Sequence, residues 1–90
     1  MDKKTKRTGK MKKYNPLTLD REKDEPTFQT DVAKWWLVEI SESKRYLLYI
    51  VESLNSVDYV IVDNTNHKFV CATQSLEDAD IKLRMLDVEI

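Results

Sequence analysis

Apolar residues are isolated along the first thirty positions and then crowd into short runs from Lys34 onward. KWWLVEIS (34–41) is β-branched and aromatic and reads as a strand. VDYVIVD (57–63) is a second strand, with Val57, Tyr59 and Ile61 on one face and Val60 and Val62 on the other. Asp63-Asn64-Thr65-Asn66 follows, four residues that tolerate tight turns and bond their own backbones. KFVCATQ (68–74) returns as the partner strand, so 57–74 reads as a hairpin. Ser75 then precedes Leu76-Glu77-Asp78, where a hydroxyl can cap a helix and carboxylates favour its first turn. Leu76, Ala79, Leu83 and Leu86 recur at helical spacing and predict a helix over roughly 76–86.

KRYLLYIVESL (44–54) admits two readings. Its tyrosines, isoleucine and valine favour a strand, paired with 34–40 across a Ser41-Glu42-Ser43-Lys44 turn. The absence of glycine at that turn favours a helix instead. The strand reading, preferred here, gives an α+β fold: an antiparallel four-stranded β-meander with one C-terminal helix packed on one face. The helical alternative, with Met85–Ile90 as a last strand, spells βαββαβ, the ferredoxin-like order.

The meander has a consequence for Trp35 and Trp36, which are neighbours and so point to opposite faces. Trp36, Val38 and Ile40 alternate with Trp35 and Leu37, and Tyr46, Leu48 and Ile50 alternate with Leu47, Tyr49 and Val51. Both faces of the sheet are therefore apolar, and one helix covers one face. The other face needs residues 14–33, a second copy or a protein partner over it, because a patch of this size is costly to leave in water. If its own chain covers Trp35, Phe28 and Val32 are the residues at hand. Trp35, Trp36, Leu37, Tyr46 and Tyr49 are the candidate interface residues, aromatic groups being enriched where surfaces meet.

Charge divides the chain further. Residues 1–13 carry seven cations against one acid, a net +6, whereas 31–90 carry eleven acids against six cations, a net −5. We divide the chain into a basic N-terminal arm expected to be disordered (1–15), a linker or covering segment (16–33) and a small acidic α+β domain (34–90). Lys3, Lys4, Lys6, Arg7, Lys10, Lys12 and Lys13 could neutralise phosphates, and Tyr14 could stack on a base, so nucleic acid is a partner class the arm supports. The acidic domain would repel a duplex but suits a basic partner.

Catalytic chemistry is poorly supplied. His67 and Cys71 are the sole histidine and cysteine, and four residues along one strand separates them by roughly 13 Å, too far for a nucleophile and its base. One histidine and one cysteine make no closed zinc site, and the Asp63–Asn66 turn lacks the glycine and the glutamate of a calcium loop. The single glycine, Gly9, leaves no phosphate-cradling loop. No enzyme, cofactor or metal is expected. With one cysteine and no apolar run near 20 residues, the expected setting is cytoplasmic, without membrane contact. The sequence thus points to a small non-enzymatic interaction protein, an adaptor, regulator or inhibitor, that self-associates or binds a protein; nucleic-acid binding through the arm is the alternative.

Overall fold

Residues 12–88 are described by the computed structural model. Their elements run β1 (Phe28–Gln29), β2 (Ala33–Ile40), β3 (Tyr46–Ser53), β4 (Val57–Asp63), β5 (Lys68–Thr73) and α1 (Leu76–Val88). The strands form one antiparallel sheet in the order β1-β2-β3-β4-β5, each paired with its chain neighbour. The α+β meander with a C-terminal helix is therefore the fold, corrected from four strands to five: the short β1 lies in the segment read as a linker or cover. The βαββαβ order is not formed, because 46–53 is a strand and 85–88 continues the helix.

The turn that seemed to need glycine is closed by Lys44, whose φ of 67° lies in the left-handed region. That conformation costs an L-residue roughly 1–2 kcal/mol. The neighbouring bonds offset it: Lys44 N–H donates to Ser41 O at 2.8 Å, Ser41 N–H to Tyr46 O at 2.9 Å, and Tyr46 N–H to Ser41 Oγ at 3.0 Å. His67 plays the same part in the β4–β5 turn, with φ 59° and its N–H donating to Asp63 O at 2.7 Å. Asp63 Oδ1 accepts from Thr65 N–H at 2.8 Å, the local bonding expected of an aspartate at this position.

Two β-bulges re-aim the faces. In β2, Leu37 pairs with Tyr49 and Glu39 with Leu48, leaving Val38 as the extra residue. Val38 stays with the helix-side core, but Ile40 moves across to the side of Leu37, against the simple alternation. In β5, Phe69 pairs with Val62 and Cys71 with Ile61, so Val70 is extra and Phe69 and Cys71 part company. One inserted residue exchanges every side chain beyond it between faces, since the strand period is two.

The core lies between the sheet and α1. Trp36, Leu48 and Ile61 are buried there with Val38, Tyr46, Ile50, Ala79 and Leu83. Full burial of each large side chain is worth about 1.5–3 kcal/mol. Ser75 caps α1, its Oγ accepting from Asp78 N–H at 3.3 Å, and Glu77 and Asp78 occupy the first turn. The chain before β2 wraps around that strand's outer edge. Tyr14 and Leu19 pack on the helix side, and Trp36 Nε1–H donates to Asp24 O at 3.0 Å. Thr27 then bridges to β2, its N–H donating to Trp35 O at 2.7 Å and its Oγ1 accepting from Leu37 N–H at 2.9 Å. Beyond it, Phe28 emerges on the opposite face.

A candidate interaction surface on the open face of the sheet

The face away from α1 is apolar from one edge of the sheet to the other. Leu37, Leu47, Tyr49, Val51 and Val60 form its buried floor, flanked by Ala33, Trp35, Ile40 and Val62. All of these side chains come from the strands themselves, and among the described residues no helix packs over them. Asp58, paired with Val51, is the carboxylate at the end of this face.

Three aromatic rings of this face pack on one another. Phe28 stacks on Trp35 with centroids 5.1 Å apart and planes 18° from parallel. Both rings meet Tyr49 edge-on at 5.5 Å. The triad lies on β1–β3, and Val60, Val62 and Ala72 continue the face over β4 and β5. Phe69 of β5 is 65% exposed on this face, and Phe28 remains 42% exposed at the opposite edge of the sheet. Trp35 Nε1–H is enclosed without an acceptor, and burial raises the Tyr49 hydroxyl above its ordinary pKa. Both effects mark a locally dry surface in which unpaired polarity is costly.

The structure divides the candidate interface residues. Trp35, Leu37 and Tyr49 share the open face, Leu37 and Tyr49 buried and Trp35 half-buried. Trp36 and Tyr46 lie instead on the helix side, Trp36 fully buried. Phe28 does pack on Trp35, but Val32 is 76% exposed and forms no part of the cover. Sequence reading missed Phe69, which the bulge at Val70 turns outward, and Phe28 as a sheet residue. It missed as well an exposed apolar stripe of Ile81, Met85 and Val88 on the outer side of α1.

Of the nucleic-acid candidates, Lys3, Lys4, Lys6, Arg7 and Lys10 lie outside the described residues. Tyr14 is engaged within the fold: its N–H donates to Leu37 O at 2.8 Å, its hydroxyl donates to Glu25 O, and Lys12 sits over its ring. Lys13 Nζ approaches Glu39 Oε1 at 4.0 Å. A cleft of about 650 Å³ between α1 and the β2–β3 turn is lined by Glu39, Glu42, Asp80 and Asp87 with Arg84. Among the described residues, no three His, Cys, Asp or Glu side chains converge as metal ligands. His67 is an exposed turn residue outside β5, and the Val70 bulge separates it from Cys71, so the two do not share a strand face. Burial raises the Cys71 thiol, the opposite of an activated nucleophile. Among the described residues no helix is long and apolar enough to cross a membrane.

No family model, curated protein or solved structure matches this chain.

Proposed function

We propose that this chain is a small non-enzymatic interaction protein, an adaptor, regulator or inhibitor, that works by occupying its open sheet face through self-association or a protein partner. One observation carries the reading: the apolar cluster on the sheet face away from α1 leaves Phe28 42% and Phe69 65% exposed beside it, and among the described residues no helix packs over it. Such patches mark interaction sites because their exposure to water is unfavourable in proportion to area. A cytoplasmic setting, in which a lone half-buried thiol stays reduced, fits this role.

The test replaces Phe69 with the photocrosslinker p-benzoylphenylalanine, with Thr65 so replaced as an exposed control. Irradiation in the native cell should yield a covalent protein adduct from position 69 and none from position 65. Equal yields, or none at either, would remove the face as an interface.

The second reading, nucleic-acid contact through the arm, is supported by the concentration of seven cations in thirteen residues. It predicts DNA or RNA affinity that falls steeply with salt and disappears when residues 1–13 are deleted. Salt-insensitive binding, or binding that survives the deletion, would exclude it.

A further inference from the structure

We infer that the cleft between α1 and the β2–β3 turn is a docking groove for this chain's own N-terminal arm, residues 1–11, held there in cis. The inference is independent of what occupies the open sheet face.

The first argument is where the described chain begins. Tyr14 N–H donates to Leu37 O at 2.8 Å, and Lys13 Nζ approaches Glu39 Oε1 at 4.0 Å. Followed back from Tyr14, the chain therefore runs beside β2 toward Ile40 and Ser41, antiparallel to that strand. Glu39, Ile40, Ser41 and Glu42 form one wall of the cleft. Pro16 lines an adjoining cavity of about 330 Å³ that shares Glu39 and Asp80 with it. Residues 13–16 thus border the groove, and the arm that precedes them starts at its rim. Eleven residues reach roughly 36 Å when extended, well beyond the ~20 Å length of α1, so the arm can follow the groove to its end.

Charge is the second argument. Glu39, Glu42, Asp80 and Asp87 stand in the cleft against Arg84, a net −3, whereas residues 1–11 carry five cations against Asp2, a net +4. Carboxylates gathered between low-dielectric walls focus their field on whatever enters. The antiparallel course brings Lys10 to the level of Glu42 as Lys13 is to Glu39, three residues further along each segment and about 10 Å away. Leu83 is buried at the bottom of the cleft and Ile40 half-buried in its wall, so lysine stems meet apolar surface while their heads meet carboxylates.

The tether is the third. Exposed ion pairs contribute only about 0–1 kcal/mol each, so a free basic peptide would bind weakly. Joined to the fold at Lys12, the arm has an effective concentration in the millimolar range, and a contact of millimolar affinity then holds it about half the time. The arm of a second copy at micromolar concentration has no such advantage. The cations held in the cleft are those that phosphates would neutralise, so a docked arm is withheld from nucleic acid; that consequence alone rests on the second reading above.

Paramagnetic broadening in the full chain tests the inference. A nitroxide is attached at Thr8→Cys in a Cys71→Ala background, and backbone amide signals are compared before and after its reduction. Glu42, Arg84 and Val88 should lose about half of their intensity or more, as the docked fraction requires. Leu54, beyond the far end of β3 and some 25 Å away along it, should lose none. Glu42→Lys, at an exposed turn position, should leave circular dichroism unchanged and restore the cleft signals. So should about 1 M salt, which shortens screening to ~3 Å. Arg7→Glu combined with Lys10→Glu alters no residue from 12 onward and should act likewise, which keeps the test decisive if Glu42→Lys disturbs the turn.

Cleft signals that keep their intensity overturn the inference, as does broadening centred on Phe69 and the open face. Broadening of the cleft that survives both Glu42→Lys and the arm substitutions overturns it too. In a mixture of spin-labelled chain and isotope-labelled chain without the nitroxide, the cleft signals should stay intact. Their weakening there would assign the cleft to the arm of a second copy and overturn docking in cis.

Discussion

Phe28 and Trp35 are direct sheet partners across β1 and β2, and their rings stack 5.1 Å apart. This pairing answers which residue covers the second tryptophan: a two-residue strand from the preceding segment does. Truncation by Phe28→Ala removes both of its ring contacts, each worth about 0.5–1.5 kcal/mol. The expected result is a loss of roughly 1–3 kcal/mol in urea unfolding and a red shift in tryptophan emission as Trp35 meets water. Unchanged emission would show that Phe28 does not cover it.

Lys44 makes the opposite prediction. Its left-handed φ is one that glycine adopts without steric cost, so Lys44→Gly should stabilise the protein by about 0.5–1 kcal/mol despite the extra freedom of the unfolded chain. The urea midpoint should rise with no change in slope. A lower midpoint would mean that the lysine side chain contributes more than the strain costs.

Asp87 ties the end of α1 to the β2–β3 turn, accepting hydrogen bonds from the Ser43 hydroxyl and from Ser43 N–H at 3.1 Å. The Ser43 hydroxyl is the main cause that lowers its pKa below the ordinary 3.8; Asp63 is lowered likewise, first by Thr65 N–H and then by Arg45. A carboxyl that ionises more readily folded than unfolded contributes stability that is fully present above about pH 3.8 and is lost as pH falls through the lowered value. Melting temperature should therefore drop on acidification below pH 4. Asp87→Asn should start lower at pH 7 and lose less on acidification; an equally steep loss would remove Asp87 from the account.

Ile61 lies at the centre of the helix-side core, fully buried between β3 and β5. Ile61→Ala should cost about 2–5 kcal/mol, a large share of the roughly 5–15 kcal/mol that holds a domain folded. Circular dichroism should show a far lower melting temperature or an unfolded chain. A cost under 1 kcal/mol would contradict the packing. Ser75→Ala, which removes the cap of α1, should cost about 0.5–2 kcal/mol and spare the sheet.

Sequence alone determined the meander and the helix, because period-two runs and a capped helical stripe are local signals that tertiary packing here reinforces. Tyr46, Leu48 and Ile50 against Leu47, Tyr49 and Val51, and Tyr59 and Ile61 against Val60 and Val62, lie as simple alternation demands. The same alternation made both faces apolar and so raised the question of what covers the second. Tertiary structure decided the rest. The bulges at Val38 and Val70, which send Ile40 and Phe69 to the open face, depend on cross-strand register, and register is absent from a single strand's pattern. The strand at 46–53 wins over a helix because Lys44 accepts a left-handed turn that local preference would give to glycine. Trp36 faces α1 and Trp35 the open side because the wrapping segment sets Asp24 O at the indole of one and the Phe28 ring on the other. Those contacts span 12 and 7 residues of sequence, and folding of the segment around the edge of β2 is what brings them together.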